Sequence, residues 1–292
     1  RAIGDRFLAL DSKQLLAFYE GEVPLNLVVA GRRYRLPMSI VLDPIAVGTL
    51  GIECELLAGR YELPESISAY SNPVLARLRK SRRLFDGTVV RLADDRNGRI
   101  VLQEASYYDG VATNFSMDHK PSGHHLSLRQ LLHNKSRKLN DVSCDPLVNH
   151  IGVVCMIETS DGMLVAQRRS HKVANRRGTL SSSVSGVVNW SDVRGYAAPF
   201  PIEKLAESML RETEEELGIE IEAPEFLGLV REFERGGKPE AYYYARAPQS
   251  LESIRARRLH AEDRMESRRL EGLWFMSEWV KSDEPSKDEF KE

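Results

Sequence analysis

A short acidic segment that ends in glycine constrains this chain more than any other feature. The sequence RETEEELGI at positions 211–219 places four glutamates within five positions. Like charges on neighbouring turns of a helix repel one another and destabilise it. A divalent cation relieves that repulsion, and Mg²⁺ is often held by one or two carboxylates together with substrate phosphates. The segment therefore indicates an acidic helix with a chemical role.

The flanking residues predict where this helix begins and ends. Pro201 suits a first-turn position, and Gly218 suits the residue after the last turn. At about 100° per residue, an apolar stripe runs along one side of the helix and predicts the face that packs on the core. The stripe consists of Leu205, Ala206, Met209, Leu210, Thr213 and Leu217.

A second face of the helix carries the carboxylates. Glu212, Glu215 and Glu216 follow the i, i+3, i+4 spacing and so lie together beside the apolar stripe, whereas Glu214 points into solvent. An ordinary glutamate-rich surface helix is the plainer interpretation of such a run. The fixed offsets of the arginine, the acidic pair and the glycine favour a metal site instead.

This spacing resembles the Nudix box. In that box a glycine, five residues, a glutamate and seven residues lead into Arg-Glu-hydrophobic-any-Glu-Glu-any-Gly-hydrophobic. The resemblance runs from Glu203, which stands eight residues before Arg211, to Ile219. Thr213 occupies a hydrophobic slot. The match implies a Nudix fold and the hydrolysis of a diphosphate.

An insertion separates the helix from the glycine turn that usually precedes it. The segment Ser185-Gly186-Val187-Val188 is similar to that turn, and Gly186 is the expected substrate-binding position in it. The opening glycine of the box itself falls at Ala197. Residues 189–200 therefore read as inserted, and their glycine and proline favour a shaped loop that lines or covers the site. A surface excursion without contacts is the alternative.

The resemblance implies a metal-dependent pyrophosphohydrolase that cleaves the diphosphate bridge of a nucleoside diphosphate derivative. A nucleotide sugar such as UDP-glucose and an ADP-ribose-like compound are the substrates it suggests. The implied cofactor is Mg²⁺ or Mn²⁺, which neutralises the phosphates and activates water. Glu212, Glu215 and Glu216 are the implied metal ligands, and Glu212 alternatively helps to deprotonate water. Arg211 orients these carboxylates, and Glu203 supports the loop.

Further candidates lie outside the box. Glu266 and Glu271 precede the last predicted strand and are candidates for the general base. Arg168 and Arg169 end another predicted strand and could grip phosphate, because a guanidinium matches phosphate bidentately. Side chains alternate along a strand, so at most one of the two arginines faces the ligand. For each of these residues a solvated surface charge is the plainer interpretation.

Two other functions stay open. A Nudix-fold module can bind a ligand as a regulator without catalysis, although that usually goes with loss of the acidic pair that is intact here. An isopentenyl-diphosphate isomerase-like enzyme would need a catalytic cysteine and a histidine cluster. Cys155 lies in the middle of a predicted strand and reads as a core residue.

The length of the chain, 292 residues, favours two domains. Strands around the acidic helix predict an α+β Nudix fold at residues 147–280, with a mixed sheet sandwiched between helices. A smaller, strand-rich α+β domain is expected at residues 1–140, and residues 281–292 read as a charged tail. The N-terminal half resembles the leading segment of two-domain Nudix hydrolases typified by the mammalian UDP-glucose pyrophosphatase. The motifs that carry this are Leu84–Gly87, Tyr107–Asp109 and Thr113.

Turn and cap signals add local predictions. The predicted hairpins pair Leu25–Val29 with Tyr34–Leu36, and Thr88–Leu92 with Arg99–Gln103. The predicted helices are Asn72–Ser81 with Asn72 as its cap, Ser127–Leu132 and the strongly charged Leu251–Arg269. A last strand is predicted at Leu273–Met276, followed by a turn at residues 277–280.

Composition narrows the partners. A net charge of −2 gives no general electrostatic reason to bind nucleic acid or an anionic membrane. The three cysteines are widely spaced and fit a reducing cytoplasm. No run of about 18 apolar residues predicts a membrane span, and no signal peptide is visible. We expect a cytoplasmic protein with a small-molecule nucleotide substrate, whose N-terminal domain could also mediate a homodimer.

Overall fold

The protein is seen here as a computed structural model, which describes most of the chain. The described residues are 10–29, 31–43, 45, 47, 51–80, 85–96, 99–169, 180–221, 223–260 and 267–274. Within these ranges, no helix combines the length and the apolar character needed to cross a membrane.

The described chain contains helices, strands and short 3₁₀ turns. The helices are α1 (Ser12–Phe18), α2 (Ser68–Leu78), α3 (Tyr107–Ala112), α4 (Leu128–His133), α5 (Trp190–Val193), α6 (Ala206–Leu217) and α7 (Leu251–Arg258). Short 3₁₀ turns lie at Glu65–Ile67, Asn114–Ser116, Val142–Cys144 and Ile202–Leu205. The strands of the first half are β1 (Leu25–Val29), β2 (Arg32–Leu36), β3 (Met38–Leu42), β4 (Glu53–Arg60), β5 (Thr88–Asp94) and β6 (Arg99–Ser106). Those of the second half are β7 (Gly152–Glu158), β8 (Met163–Arg169), β9 (Leu180–Ser181), β10 (Val184–Val187), β11 (Phe200–Pro201), β12 (Glu225–Glu232), β13 (Lys238–Arg246) and β14 (Ser267–Trp274).

The larger sheet is mixed. Its strand order is β14-β8-β7-β13-β12-β3, with β10 on β7 and β9 on β8. The central pair β13 and β7 is parallel, and the other pairs are antiparallel. Helix α6 packs on β10 and β7, and α7 packs beside α6. The α+β class, with helices packed on a mixed sheet, is therefore confirmed.

Each of the two sheets includes a strand that comes from the other half of the chain. Its order is β11-β4-β6-β5, so Phe200 and Pro201 at the end of the insertion pair with β4 of the N-terminal half. Conversely, β3 of the N-terminal half closes one edge of the larger sheet by pairing with β12. Both predicted hairpins are confirmed as β1–β2 and β5–β6. The domain boundaries at 140 and 147 stay a prediction, but strand pairing runs across them in both directions.

Helix α6 follows its sequence pattern closely. A 3₁₀ turn follows Pro201, and the α-helix proper ends at Leu217, after which Gly218 adopts the left-handed conformation with φ 66°. The amide of Gly218 donates to the Glu214 carbonyl at 2.9 Å and closes the last turn. The predicted stripe faces the core: Leu205, Met209, Thr213 and Leu217 are buried, and Ala206 and Leu210 are partly buried.

Two predicted helices have different limits in the structure. The helix predicted to start at Asn72 is α2, which starts at Ser68, so Pro73 lies inside it and not in its first turn. Burial of Tyr70, Val74 and Leu75 on this helix offsets the backbone hydrogen bond that an interior proline removes. The other helix, predicted over Leu251–Arg269, ends at Arg258.

The end of that second helix is where a strand begins. Residues 267–269 belong to β14, which also includes the first half of the predicted last strand and pairs along its whole length with β8. Leu270 of β14 is buried in the main core, and such burial outweighs the helix-forming tendency of the charged run before it. Phe275, Met276 and the turn predicted at 277–280 lie outside the described residues.

A buried polar network ties α1 to α4. The Tyr19 hydroxyl lies 2.8 Å from Nδ1 of His133 and accepts a hydrogen bond from Nη1 of Arg129 at 2.9 Å. Arg129 is almost fully buried and also pairs with Asp118, at 2.6 Å. Burial lowers the pKa of His133 to about 3, and the charges of Arg129 and Arg231 contribute to this shift. His133 is therefore neutral in the folded protein.

The stability of the fold should fall in weak acid because of His133. An unfolded histidine has a pKa near 6.5, so below that pH the unfolded chain binds a proton that folded His133 does not. The stabilisation is complete above about pH 6.5 and is lost at up to about 1.4 kcal/mol per pH unit as the pH falls towards 3. Urea unfolding at pH 7 and pH 5 should show a smaller pH effect, by about 1–2 kcal/mol, in His133→Asn. Parallel pH curves for the two proteins would contradict this.

Candidate active site

The carboxylates of α6 meet at one guanidinium. Nη1 of Arg211 lies 2.8 Å from Oε2 of Glu215, and Nη2 lies 3.0 Å from Oε1 of Glu212. Nη2 also lies 3.3 Å from the Val187 carbonyl of β10 and 3.3 Å from Oδ2 of Asp192. The predicted role of Arg211 as the residue that orients the acidic face agrees with this arrangement.

Gly186 lets Glu212 reach its place. A Cβ added at Gly186 would lie 2.0 Å from Cδ of Glu212, because the carboxylate packs directly on the glycine backbone. Burial raises the pKa of Glu212 to about 7, an effect that Arg211 opposes and Glu215 reinforces. The glycine turn therefore acts as the seat of a carboxylate, while its predicted contact with substrate stays a prediction.

Glu216 has a different partner from the other two glutamates. It is buried, and one of its carboxylate oxygens accepts a hydrogen bond from Nε2 of Gln167 on β8. The same amide nitrogen donates to the Ser183 carbonyl at 2.7 Å. In this structure Glu216 is thus fixed to the sheet, whereas Glu212 and Glu215 share Arg211.

The structure does not bring the arginine–glutamate pair of β8 and β14 to these carboxylates. Arg168 and Glu271 form an ion pair at 2.5 Å. Since Gln167 contacts Glu216, its neighbour Arg168 points to the opposite face of the sheet. Glu271 lies opposite Ala166 in the strand register and shares that face with Arg168. Their predicted roles as general base and phosphate ligand gain no support from this geometry.

The described contacts do not place three other predicted site residues in the cluster. Glu266 and the side chain of Arg169 lie outside the described residues. Glu203 is exposed in the 3₁₀ turn before α6. Among the described contacts, its carboxylate has no hydrogen bond or ion pair, so its supporting role stays a prediction.

Asp192 is the residue that the sequence analysis missed. It lies on α5, in the insertion, and its Oδ2 accepts hydrogen bonds from the Ser208 hydroxyl at 2.7 Å and the Asn189 amide at 3.1 Å. The insertion was expected to form a loop, but residues 190–193 form a helical turn with a capping box. The spacing of Asn189 and Asp192 is a helix-start signature, which could have revealed the helical turn but not the contact of Asp192 with Arg211.

A cavity of about 580 Å³ lies beside the cluster, at the end of α6. Glu215 lines it together with residues of α7 and of the segments before α7 and after α6. These lining residues include Gly218, Glu220, Gln249, Arg257 and His260. Glu215 is therefore shared between the carboxylate cluster and a space that could admit a small molecule.

Comparisons with known proteins give structural likeness only. No protein-family model matches this chain, and no curated protein matches it. Among solved structures, it is similar to the DR0079 protein from Deinococcus radiodurans, at 22% identity and a TM-score of 0.30 over 43% of this chain and 67% of that one. It is also similar to a MutT protein from Methanosarcina mazei Go1, at 19% identity and a TM-score of 0.30 over 47% of this chain and 85% of that one. A third is Tm1382, a candidate Nudix hydrolase, at 17% identity and a TM-score of 0.31 over 43% of this chain and 57% of that one.

An alanine at Gly186 should disturb the site and destabilise the fold. The added methyl group would overlap the Glu212 carboxylate, so this side chain must leave its place against β10 and its contact with Arg211, at a cost of about 1–3 kcal/mol. Gly195 is the matched control, because a Cβ there would meet no atom within 4 Å. Urea unfolding should show a loss for Gly186→Ala and a change within about 0.5 kcal/mol for Gly195→Ala. Equal stability of both variants would mean that Gly186 is not the seat of Glu212.

Proposed function

We propose that this chain is a metal-dependent pyrophosphohydrolase of the Nudix type, acting on the diphosphate bridge of a nucleoside diphosphate derivative. The observation that supports this most is the meeting of Glu212 and Glu215 at Arg211, beside a cavity. The Nudix-like spacing of the same residues in the sequence points to the same chemistry.

The donor set fits a hard divalent cation. The oxygens of Glu212 and Glu215 both lie within 3.0 Å of nitrogens on one guanidinium, so they already converge on a single positive charge. Mg²⁺ is commonly held by one or two carboxylates and completes its shell with water and substrate phosphates. The described residues hold no ready group of three or more histidine, cysteine or acidic side chains arranged for a metal. We therefore propose Glu212 and Glu215 as the first ligands and Glu216 as a ligand that must leave Gln167.

The residues of the chain have separate roles in this proposal. A bound Mg²⁺ or Mn²⁺ would neutralise the diphosphate and lower the pKa of attacking water. Glu212 has a pKa near neutrality, so its carboxylate can also take up a proton there. The positive charge of Arg211 offsets the negative charges of the carboxylates and holds these side chains close to one another. A nucleotide-sugar or ADP-ribose-like substrate, a cytoplasmic location and a homodimer belong to this proposal as expectations from the sequence.

The isomerase alternative is disfavoured by its required thiol. Cys155 is fully buried in the core, and burial raises the pKa of its thiol to about 12. A catalytic cysteine needs the thiolate form and access to substrate. A ligand-binding regulator without catalysis remains the second candidate function, and it is separated from the first by turnover.

The chemistry is tested by following the diphosphate bridge. A panel of nucleotide sugars, ADP-ribose and dinucleotides is incubated with the protein and Mg²⁺ in ¹⁸O water. We expect a nucleoside monophosphate and a phosphorylated second product, with one phosphate labelled, because water attacks one side of the bridge. Tight binding of a panel member without turnover would support the regulator. Release of inorganic phosphate alone, or an isomerised unlabelled product, would contradict the proposal.

Removing single carboxylate charges should separate the site from the rest of α6. Glu212→Gln and Glu216→Gln should each lower kcat by about 10²-fold or more, because each removes a ligand or a proton acceptor. Glu207→Gln removes the same charge from the same helix, but its side chain is exposed and lies outside both the cluster and the cavity, so kcat should stay within about twofold. Circular dichroism checks that all three variants fold. Near-normal kcat for Glu216→Gln at saturating Mg²⁺ would remove Glu216 from the site.

A further inference from the structure

The insertion contributes a charge to the carboxylate cluster. Oδ2 of Asp192 lies 3.3 Å from Nη2 of Arg211, the same nitrogen that contacts Glu212. The Asp192 side chain is only 14% exposed. Arg211 therefore balances three carboxylates, two from α6 and one from a segment that a contiguous Nudix-like box would lack.

Asp192 is itself held from several sides. The Ser208 hydroxyl of α6 and the Asn189 amide both donate to its Oδ2, at 2.7 and 3.1 Å. The Ser191 hydroxyl lies 3.3 Å from its Oδ1. Ser208 is fully buried, so the contact fastens α5 to the first half of α6. These bonds place the Asp192 charge at a fixed point beside Arg211.

A fixed charge at this point has a consequence for metal binding. A cation that takes oxygens from Glu212 and Glu215 replaces Arg211 as their positive partner, and the two positive charges then repel each other. Arg211 can stay in place only if another acceptor holds it. Two acceptors at Nη2 of Arg211 do not belong to the acidic face. They are the carboxylate of Asp192 and the carbonyl of Val187.

We infer that Asp192 is a positioning residue, which holds Arg211 while Glu212 and Glu215 turn to a divalent cation. The inference rests on the proposed function, since it concerns the metal of the same site. In this inference the insertion supplies the counter-charge that keeps Arg211 from competing with the metal.

Asp192→Asn is the sharpest variant. An asparagine keeps the side-chain shape and one oxygen that can accept from Ser208 and Asn189, but it removes the charge. The matched control is Glu207→Gln, which loses one charge on the exposed first turn of α6, away from the cavity. Mn²⁺ binding to the whole chain, without substrate, is measured by calorimetry for both variants and for Glu212→Gln, which should lose the site.

We expect the Mn²⁺ dissociation constant to rise about tenfold in Asp192→Asn, as is typical when a partner behind the metal ligands is removed. It should change less than about twofold in Glu207→Gln. An unchanged constant in Asp192→Asn, or an equal rise in both variants, overturns the inference.

A second measurement in metal-free protein tests the contact itself. Asp192→Asn, Arg211→Lys and the double variant form a cycle in which urea midpoints should be non-additive, because the two residues share one interaction. Additive midpoints overturn the inference. A wild-type protein that binds Mn²⁺ at the Glu212 site but hydrolyses no diphosphate rejects the proposed function alone. A wild-type protein that binds no Mn²⁺ rejects both.

Discussion

The guanidinium of Arg211 carries the positive charge on which the candidate site depends. Carboxylates at positions 192, 212 and 215 surround it, and leaving the two largely buried ones, Asp192 and Glu212, without a partner would cost several kcal/mol each. Because the three come from two segments, one guanidinium also fixes the insertion relative to α6. The geometry of the acidic face is therefore set by charge balance as much as by the helix that carries it.

The core explains why that charge balance can exist at all. Met209, Thr213 and Leu217 bury one side of α6, so the helix cannot rotate to release its glutamates into solvent. On the adjacent side, Gly186 removes the one side chain that would keep Glu212 away from β10. Packing thus holds the carboxylates close together, and the arginine makes that closeness tolerable.

Local signals predicted the parts of the structure that depend on neighbours in sequence. The end of α6 at Gly218, the short helix α4 and the pairing of β5 with β6 are of this kind. The early start of α2 depends on burial, and the strand at residues 267–269 depends on pairing with β8. Both involve distant elements, which no local pattern contains. Asp192 was missed for the same reason, since its partners Ser208 and Arg211 lie 16 and 19 residues away.

Strand β3 makes the two halves of the chain depend on each other for complete sheets. This N-terminal strand completes the larger sheet by pairing with β12. In the other direction, Phe200 and Pro201 of the second half pair with β4 in the smaller sheet. Cutting the gene between the halves would leave unpaired strand edges on both products, and exposed edges recruit other chains. The acidic helix therefore does not belong to a structural unit that is independent of the N-terminal strands. Recombination could move it to a new protein only together with the N-terminal strands, which ties the history of the site to that of the whole chain.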